Sequence, residues 1–180
     1  MDKEKQMMQL LSNEATARKG FEMLVGLYGE RLYWQVRRIV ITHEDANDVV
    51  QNALVKAWLN LGEFENKSKI STWLSRIAIN EALDFMRKKQ RMEGVSADEN
   101  PAMANNLMAD EYFDGDETQA QLQEAISKLP EVQRTVFNMR YFEELKYSEI
   151  SKILGTTEGA LKANYHLAVK KIEKFFKNHD

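Results

Sequence analysis

Apolar positions recur along this chain every three to four residues and almost nowhere alternate, which is the spacing of helices rather than strands. Read this way, the sequence predicts helices over about 14–40, 44–61, 71–91, 119–128, 131–143, 147–154 and 158–176. Phe21, Leu24, Tyr28, Leu32 and Val36 form one stripe on the first. Ala46, Val50, Ala53 and Ala57 do so on the second, and Leu74, Ala78, Ala82 and Phe85 on the third. On the last, Leu161, Tyr165, Ala168 and Ile172 fall on a single inward face. Between residues 93 and 118 the period is lost. That stretch, EGVSADENPAMANNLMADEYFDGDET, mixes glycine, proline, asparagine and acids and is expected to be a flexible linker. The expectation is therefore an all-α chain: two small helical domains, 1–92 and 119–180, joined by the acidic linker 93–118.

Composition sharpens this picture in a few places. The only prolines are Pro101 and Pro130, so helix interiors are almost uninterrupted. The absence of cysteine excludes disulfides, thiolate metal sites and a cysteine nucleophile, and it fits a reducing cytoplasm. No apolar run approaches the roughly 20 residues of a membrane span, and residues 1–9 alternate charge with methionine. A cytoplasmic protein without membrane insertion is expected. His43, His166 and His179 form no metal or triad pattern, and no acidic pair stands apart from helix-surface charge. No catalytic residue, metal or cofactor is expected, and the chain does not read as an enzyme.

The net charge of −3 is unevenly spread. Residues 1–92 carry 15 Lys and Arg against 12 Asp and Glu, residues 93–118 none against 8, and residues 119–180 carry 10 against 8. Two mildly basic blocks flank an acidic connector, so overall acidity does not argue against nucleic-acid binding.

The segment 146–176 has the sharpest local pattern. Ser148 is expected to cap a short helix with Ile150, Ile153 and Leu154 inward, and Gly155 to end it in the left-handed region. Thr156 or Thr157 then caps a second helix with Glu158 in its first turn, where the dipole favours an acid. The outer face of that helix carries Gly159, Ala160, Ala163, His166 and Lys170, edged by Lys162 and Leu167. Small side chains let a helix sink into a major groove, and lysines and an imidazole reach bases or phosphates. The bland alternative is a helical hairpin with a solvated lysine face.

Two further faces stand out. Along 71–91, Trp73, Arg76, Asn80, Asp84 and Arg87 share one side, ending in the basic run Arg87, Lys88, Lys89 and Arg91. A ring for stacking, an amide for a base edge and cations for phosphate are what a single-stranded site requires. The preceding loop, with Phe64, Lys67 and Lys69, is polar enough to wrap an extruded base. Alternatively, Trp73 simply closes a core. On 44–61, Asp48, Gln51, Asn52, Val55 and Leu59 mix aliphatic and polar groups on the outer side, either a protein contact or a second packing flank.

Taken in order, EDANDVVQNALVKAW, STWLSRIAINEALDFMRKKQR and ISKLPEVQRTVFNMRYFEELKYSEISKILGTTEGALK, with an acidic linker before the third, resemble the alternative sigma factors of the extracytoplasmic-function group of the sigma-70 family. The resemblance runs from about Phe21 to Ile172. It implies sigma domains two and four, binding to RNA polymerase core, and promoter-specific initiation as a monomer. By resemblance, Asp45, Asp48, Gln51, Asn52, Val55, Lys56 and Leu59 engage the beta-prime clamp, and the helix 129–142 helps dock on the beta flap. Phe64, Lys67, Lys69, Trp73, Arg76, Asn80, Arg87 and Lys88 would hold the melted strand of the minus-ten element. Thr156, Thr157, Glu158, Gly159, Ala160, Lys162, Ala163, His166 and Lys170 would read the minus-35 duplex. Ala163, Asn164 and Leu167 depart from the serine and arginines common in the family's recognition helix. An anti-sigma partner is also implied, and the two basic domains are expected to fold together around it or around the linker, hiding their DNA faces. A dimeric repressor with the same helix-turn-helix, or an adaptor making only protein contacts, are the competing readings.

Overall fold

The computed structural model describes residues 2–94 and 115–179, and among these every regular element is helical. In chain order they are α1 (Lys3–Leu11), α2 (Ala17–Arg37), α3 (His43–Leu59), α4 (Ile70–Glu93), α5 (Glu117–Ser127), α6 (Glu131–Tyr141), α7 (Tyr147–Leu154) and α8 (Glu158–His179). A single 3₁₀ turn, Leu61–Glu63, follows α3. The all-α expectation and seven of its helices are met. Of the expected linker, residues 95–114 lie outside the described residues, while Glu93 closes α4 and Glu117 opens α5.

The pattern of residues 1–9 gave no sign of α1, yet it is a capped helix. Asp2 accepts from the Glu4 backbone N–H at 3.1 Å, and Met7 is fully buried against α2. Burying that side chain contributes roughly 1.5–3 kcal/mol. The approach is close because position 20 has no side chain: a Cβ on Gly20 would stand 2.8 Å from the Leu11 backbone nitrogen and 2.9 Å from the Leu10 Cβ. Burial and the charge of Glu4 hold the Tyr28 hydroxyl above its ordinary pKa on the same contact.

Helices α2, α3 and α4 form the first core, of Leu24, Leu32, Val36, Val49, Leu74 and the alanines 46, 53, 57, 78 and 82. Five small residues on two packed helices bring the backbones near each other. The end of α2 is held by Arg37, which is buried and donates to the carbonyls of Ile41 at 2.9 Å and Val40 at 3.4 Å. Those carbonyls would otherwise be orphaned past the helix end. Outside, Lys56 pairs with Glu81 and Lys89 with Asp45 at 2.9 Å, lacing α3 to α4 antiparallel.

The second unit packs α5 and α6 against α8 through Ala125, Ile126, Leu129, Phe137, Ala168 and Ile172. Phe137 stacks on Tyr165 with centroids 5.8 Å apart. The two units also touch. Ile79 and Leu83 of α4, on neither of the two faces read from the sequence, are buried against Val136, Met139, Leu145, Ile150 and Ile153. Beside them Glu143, whose side chain is 8% exposed, accepts from Arg38 at 3.0 Å, Gln35 at 2.5 Å and Arg31 at 3.5 Å. Arg38 also covers the Phe142 ring at 4.1 Å, and burial pulls its pKa down against the opposing pull of Glu143.

Candidate nucleic-acid interface

The α4 face assembles largely as its spacing predicts. Arg76, Arg87 and Lys88 are exposed, and Asn80 and Trp73 half-buried. Trp73 packs on the first core, as its alternative reading expects, and keeps partial exposure. Phe64 from the preceding loop lies 5.3 Å from it, centroid to centroid. Lys69 occupies the N-cap position of α4, and Lys67 is exposed beside Glu65, with which it pairs. Arg87 is partly occupied by Asp84 at 3.1 Å, an exposed pair of little energetic weight. The loop turns through Asn66, whose φ of 57° is the left-handed conformation asparagine tolerates better than most residues.

On α3 the outer stripe is exposed: Asp48, Gln51 and Asn52 are open to solvent, Val55 is 57% and Leu59 74% exposed. Trp58 also stands partly out beside Phe21, a residue the sequence reading passed over because it falls at the edge of that stripe. Asp45 and Lys56 lie along the other edge, where both are engaged by α4 through Lys89 and Glu81.

The helix-turn-helix is α7, Gly155 and α8. Gly155 ends α7 at φ 67°, with its N–H on the Ser151 carbonyl at 2.9 Å. Ser148 is not the cap it was expected to be. The helix starts at Tyr147, and Glu149 reaches back to accept the Lys146 N–H at 2.9 Å. Thr157, rather than Thr156, caps α8, accepting the Ala160 N–H at 3.3 Å, while the Thr156 carbonyl accepts from the Ser151 hydroxyl at 2.5 Å. Leu161, Ala168 and Ile172 are buried and Tyr165 is half-buried. Glu158, Gly159, Lys162, Ala163, His166, Leu167 and Lys170 all face solvent, with Ala160 intermediate. Lys162 sits 5.7 Å over Tyr147. Asn164 donates to its own helix at the Ala160 carbonyl, 3.0 Å away, so its side chain lies along the helix.

One expectation needs adjusting. The units do pack together, but the seam covers α6, α7 and the end of α2 and leaves the outer faces of α4 and α8 in solvent. The contact therefore leaves both of these faces open, whereas the packed units were expected to hide them. Along α6, Arg134, Thr135, Phe137, Asn138 and Met139 are buried, and Val132 and Tyr141 are its exposed large side chains. Among the described residues no cluster of His, Cys, Asp or Glu is arranged to hold a metal, and no helix is long and apolar enough to cross a membrane. What the sequence reading missed is α1, Ile79 with Leu83, and Glu143. The last bonds to partners more than a hundred positions away, so no local pattern announces it.

A basic, aromatic and amide stripe on one helical unit, joined to a helix-turn-helix on another, is the make-up of a DNA-binding protein. The chain matches the family models described as Sigma-70 region 2, over residues 24–92, and Sigma-70, region 4, over residues 119–172. It is 31% identical over 163 residues to the ECF RNA polymerase sigma factor SigW of Bacillus subtilis, covering 86% of this chain and 87% of that one. It is 32% identical over 131 residues to SigV of the same organism, covering 73% and 75%. Among solved structures it is similar to the sigma factor RpoE of Bartonella quintana in complex with the anti-sigma factor NepR, with TM-score 0.69, 25% identity, and 88% and 98% of the two chains covered. CnrH in complex with the cytosolic domain of CnrY shares the fold, with TM-score 0.67, 22% identity and 99% of both chains covered. The chain belongs to the sigma-70 family, as an alternative sigma factor of the extracytoplasmic-function group that directs transcription initiation. Sigma factors are transcription regulators.

Proposed function

We propose that this sigma factor works by positioning and strand capture, through three faces on two packed units. The outer stripe of α3, with Asp48, Gln51, Asn52, Val55 and Leu59, grips the polymerase core at its beta-prime clamp, edged by Asp45 and Lys56. The α4 face and its loop, Phe64, Lys67, Lys69, Trp73, Arg76, Asn80, Arg87 and Lys88, hold the melted minus-ten strand by stacking, amide readout and phosphate contact. The start and outer face of α8 read the minus-35 duplex, with Thr157 as cap and Lys162, Ala163, His166 and Lys170 toward the groove. Asn164, turned onto its own helix, is left out of that contact. Residues 1–92 and 119–180 act as the two functional domains, in the cytoplasm, with residues 93–118 linking them. The polymerase makes the phosphodiester bonds.

An anti-sigma protein completes the reading. The structures this chain resembles include the sigma factor RpoE solved with an anti-sigma factor, and the exposed aliphatics of α3 offer a helix a place to pack.

The observation that carries the proposal is the exposed α4 stripe set beside an aromatic pair, Phe64 and Trp73. Purified protein added to polymerase core should give promoter-selective initiation from a promoter library. Asn80→Ala should weaken minus-ten selectivity by about 1–3 kcal/mol, roughly 5- to 150-fold, with minus-35 selectivity kept. Unchanged discrimination between cognate and minus-ten-mutated promoters would remove the strand-capture role.

A further inference from the structure

Two edges of opposite chemistry run along the solvent side of α8. Lys162, His166 and Lys170, at i, i+4 and i+8, make a basic edge, and all three are exposed. Ala160, Ala163 and Leu167, at i, i+3 and i+7, make an apolar one, on which Leu167 is the large side chain, 46% exposed. We propose that Leu167 reads a thymine of the minus-35 duplex through the 5-methyl group of the base, and so sets a thymine preference at one position of that element. The proposal rests on the duplex-reading role of α8 given above and adds to it a residue, a base and the contact between them.

A single exposed leucine is ordinary on a protein surface, so its position is what carries weight. Leu167 lies on the second helix of the helix-turn-helix, outside the buried face of Leu161, Ala168 and Ile172. In the major groove the methyl of thymine is the apolar group that base edges present, so an apolar side chain there has one base to match. The neighbouring side chains leave that contact to Leu167. Ala160 and Ala163 precede it on the same edge and carry only methyl groups. Asn164, the amide on this flank, donates to the Ala160 carbonyl at 3.0 Å and lies along the helix. The edge therefore offers the bases a carbon surface rather than a hydrogen-bond donor.

The start of the helix is shaped for close approach. A Cβ on Gly159 would meet no atom within 4 Å, and Gly159 is not among the glycines with positive φ, so neither packing nor backbone geometry calls for glycine there. Glycine costs a helix stability relative to alanine. What the bare backbone gains is room for something outside the chain: the first turn can sink into a groove and carry Leu167, two turns later, toward the base edges. The surrounding charge favours nucleic acid. Lys170 and Lys171 follow Leu167 by one turn and are exposed, and cations beside an apolar contact suit a base edge flanked by phosphates.

The test uses the full chain with polymerase core on linear promoters that the wild type selects from the promoter library. Each thymine of the minus-35 element is replaced in turn by deoxyuridine, which removes the methyl and keeps the base pair. For the wild type, one such replacement should lower initiation about fourfold, the effect expected of one buried methyl group. Leu167→Ala, which puts a good helix former at an exposed position, should lower initiation on the thymine promoter by about that factor or more and no longer distinguish thymine from uracil there. Leu167→Arg should move the preference at that same position from thymine to guanine. Wild-type initiation insensitive to every uracil overturns the proposal, and so does a Leu167→Ala protein that keeps the full difference between thymine and uracil. Loss of initiation by Leu167→Ala on all promoters alike, with that difference intact, assigns Leu167 to a protein contact and overturns it too. An unchanged base profile for Leu167→Arg counts the same way. If the wild type initiates equally from cognate and minus-35-mutated promoters, the duplex-reading role of α8 fails and the leucine contact fails with it. If it discriminates between them and ignores the methyl groups, only the leucine contact fails.

Discussion

The interior of the first unit and the seam between the units bury residues to similar depth but are made of different material. The interior is almost wholly apolar, from Met7 and Leu24 to the alanines of α3 and α4, with Arg37 and Ser75 as its buried polar side chains. The seam has a small apolar plug, Ile79 and Leu83, set beside a carboxylate that takes three donors from α2. It also buries two acceptors, Gln35 Oε1 and Asn138 Oδ1, that have no hydrogen-bond partner among the described residues. An orphaned acceptor costs about 1–3 kcal/mol. The core is thus a structure that must form for the chain to fold, whereas the seam has the mixed, partly charged make of a contact between domains that can separate.

The largest effect belongs to the core. Leu24→Ala removes a fully buried side chain and should cost about 2–5 kcal/mol, lowering the denaturant midpoint of the first unit. If the seam were equally structural, Glu143→Ala would unfold the chain in the same way. It should instead leave Arg38 and Gln35 without their acceptor, weaken the seam by about 1.5–3 kcal/mol, and raise the radius of gyration in small-angle scattering with helix content unchanged. Loss of helical signal in that variant would abolish the distinction. The smallest effect has the opposite sign. Asn138→Leu replaces an orphaned amide by an apolar group of similar size and should tighten the seam by about 1 kcal/mol, seen as stronger energy transfer between dyes on the two units. A looser seam would mean that the amide is satisfied by its surroundings.

How legible all this was in the sequence depended on how local the cause was. Helices whose apolar period repeats for several turns, such as the one carrying Leu161, Ala168 and Ile172, were evident because the pattern records one partner surface. Helix α1 was not, since nine residues give two turns of pattern and Lys3, Glu4 and Lys5 break its start; its evidence is the Gly20 surface, which only packing reveals. On α4, Ile79 and Leu83 adjoin the core face, so one broad apolar arc concealed two partners. The site residues separated likewise. The α8 face followed from period and caps, with the cap moved from Ser148 to the Glu149 carboxylate for α7 because a side chain one residue farther on reaches back. Nothing local marks Glu143, whose partners lie more than a hundred positions away.

The alanines between α3 and α4 carry a mechanical consequence. Side chains this short cannot change rotamer to let one helix slide along the other, and the ion pairs at Lys56 and Lys89 pin the two ends of the overlap. The pair therefore behaves as a ruler with one outer stripe on each side and no play between its edges. The distance from Val55 and Leu59 on one side to Asn80 and Arg87 on the other is thereby fixed.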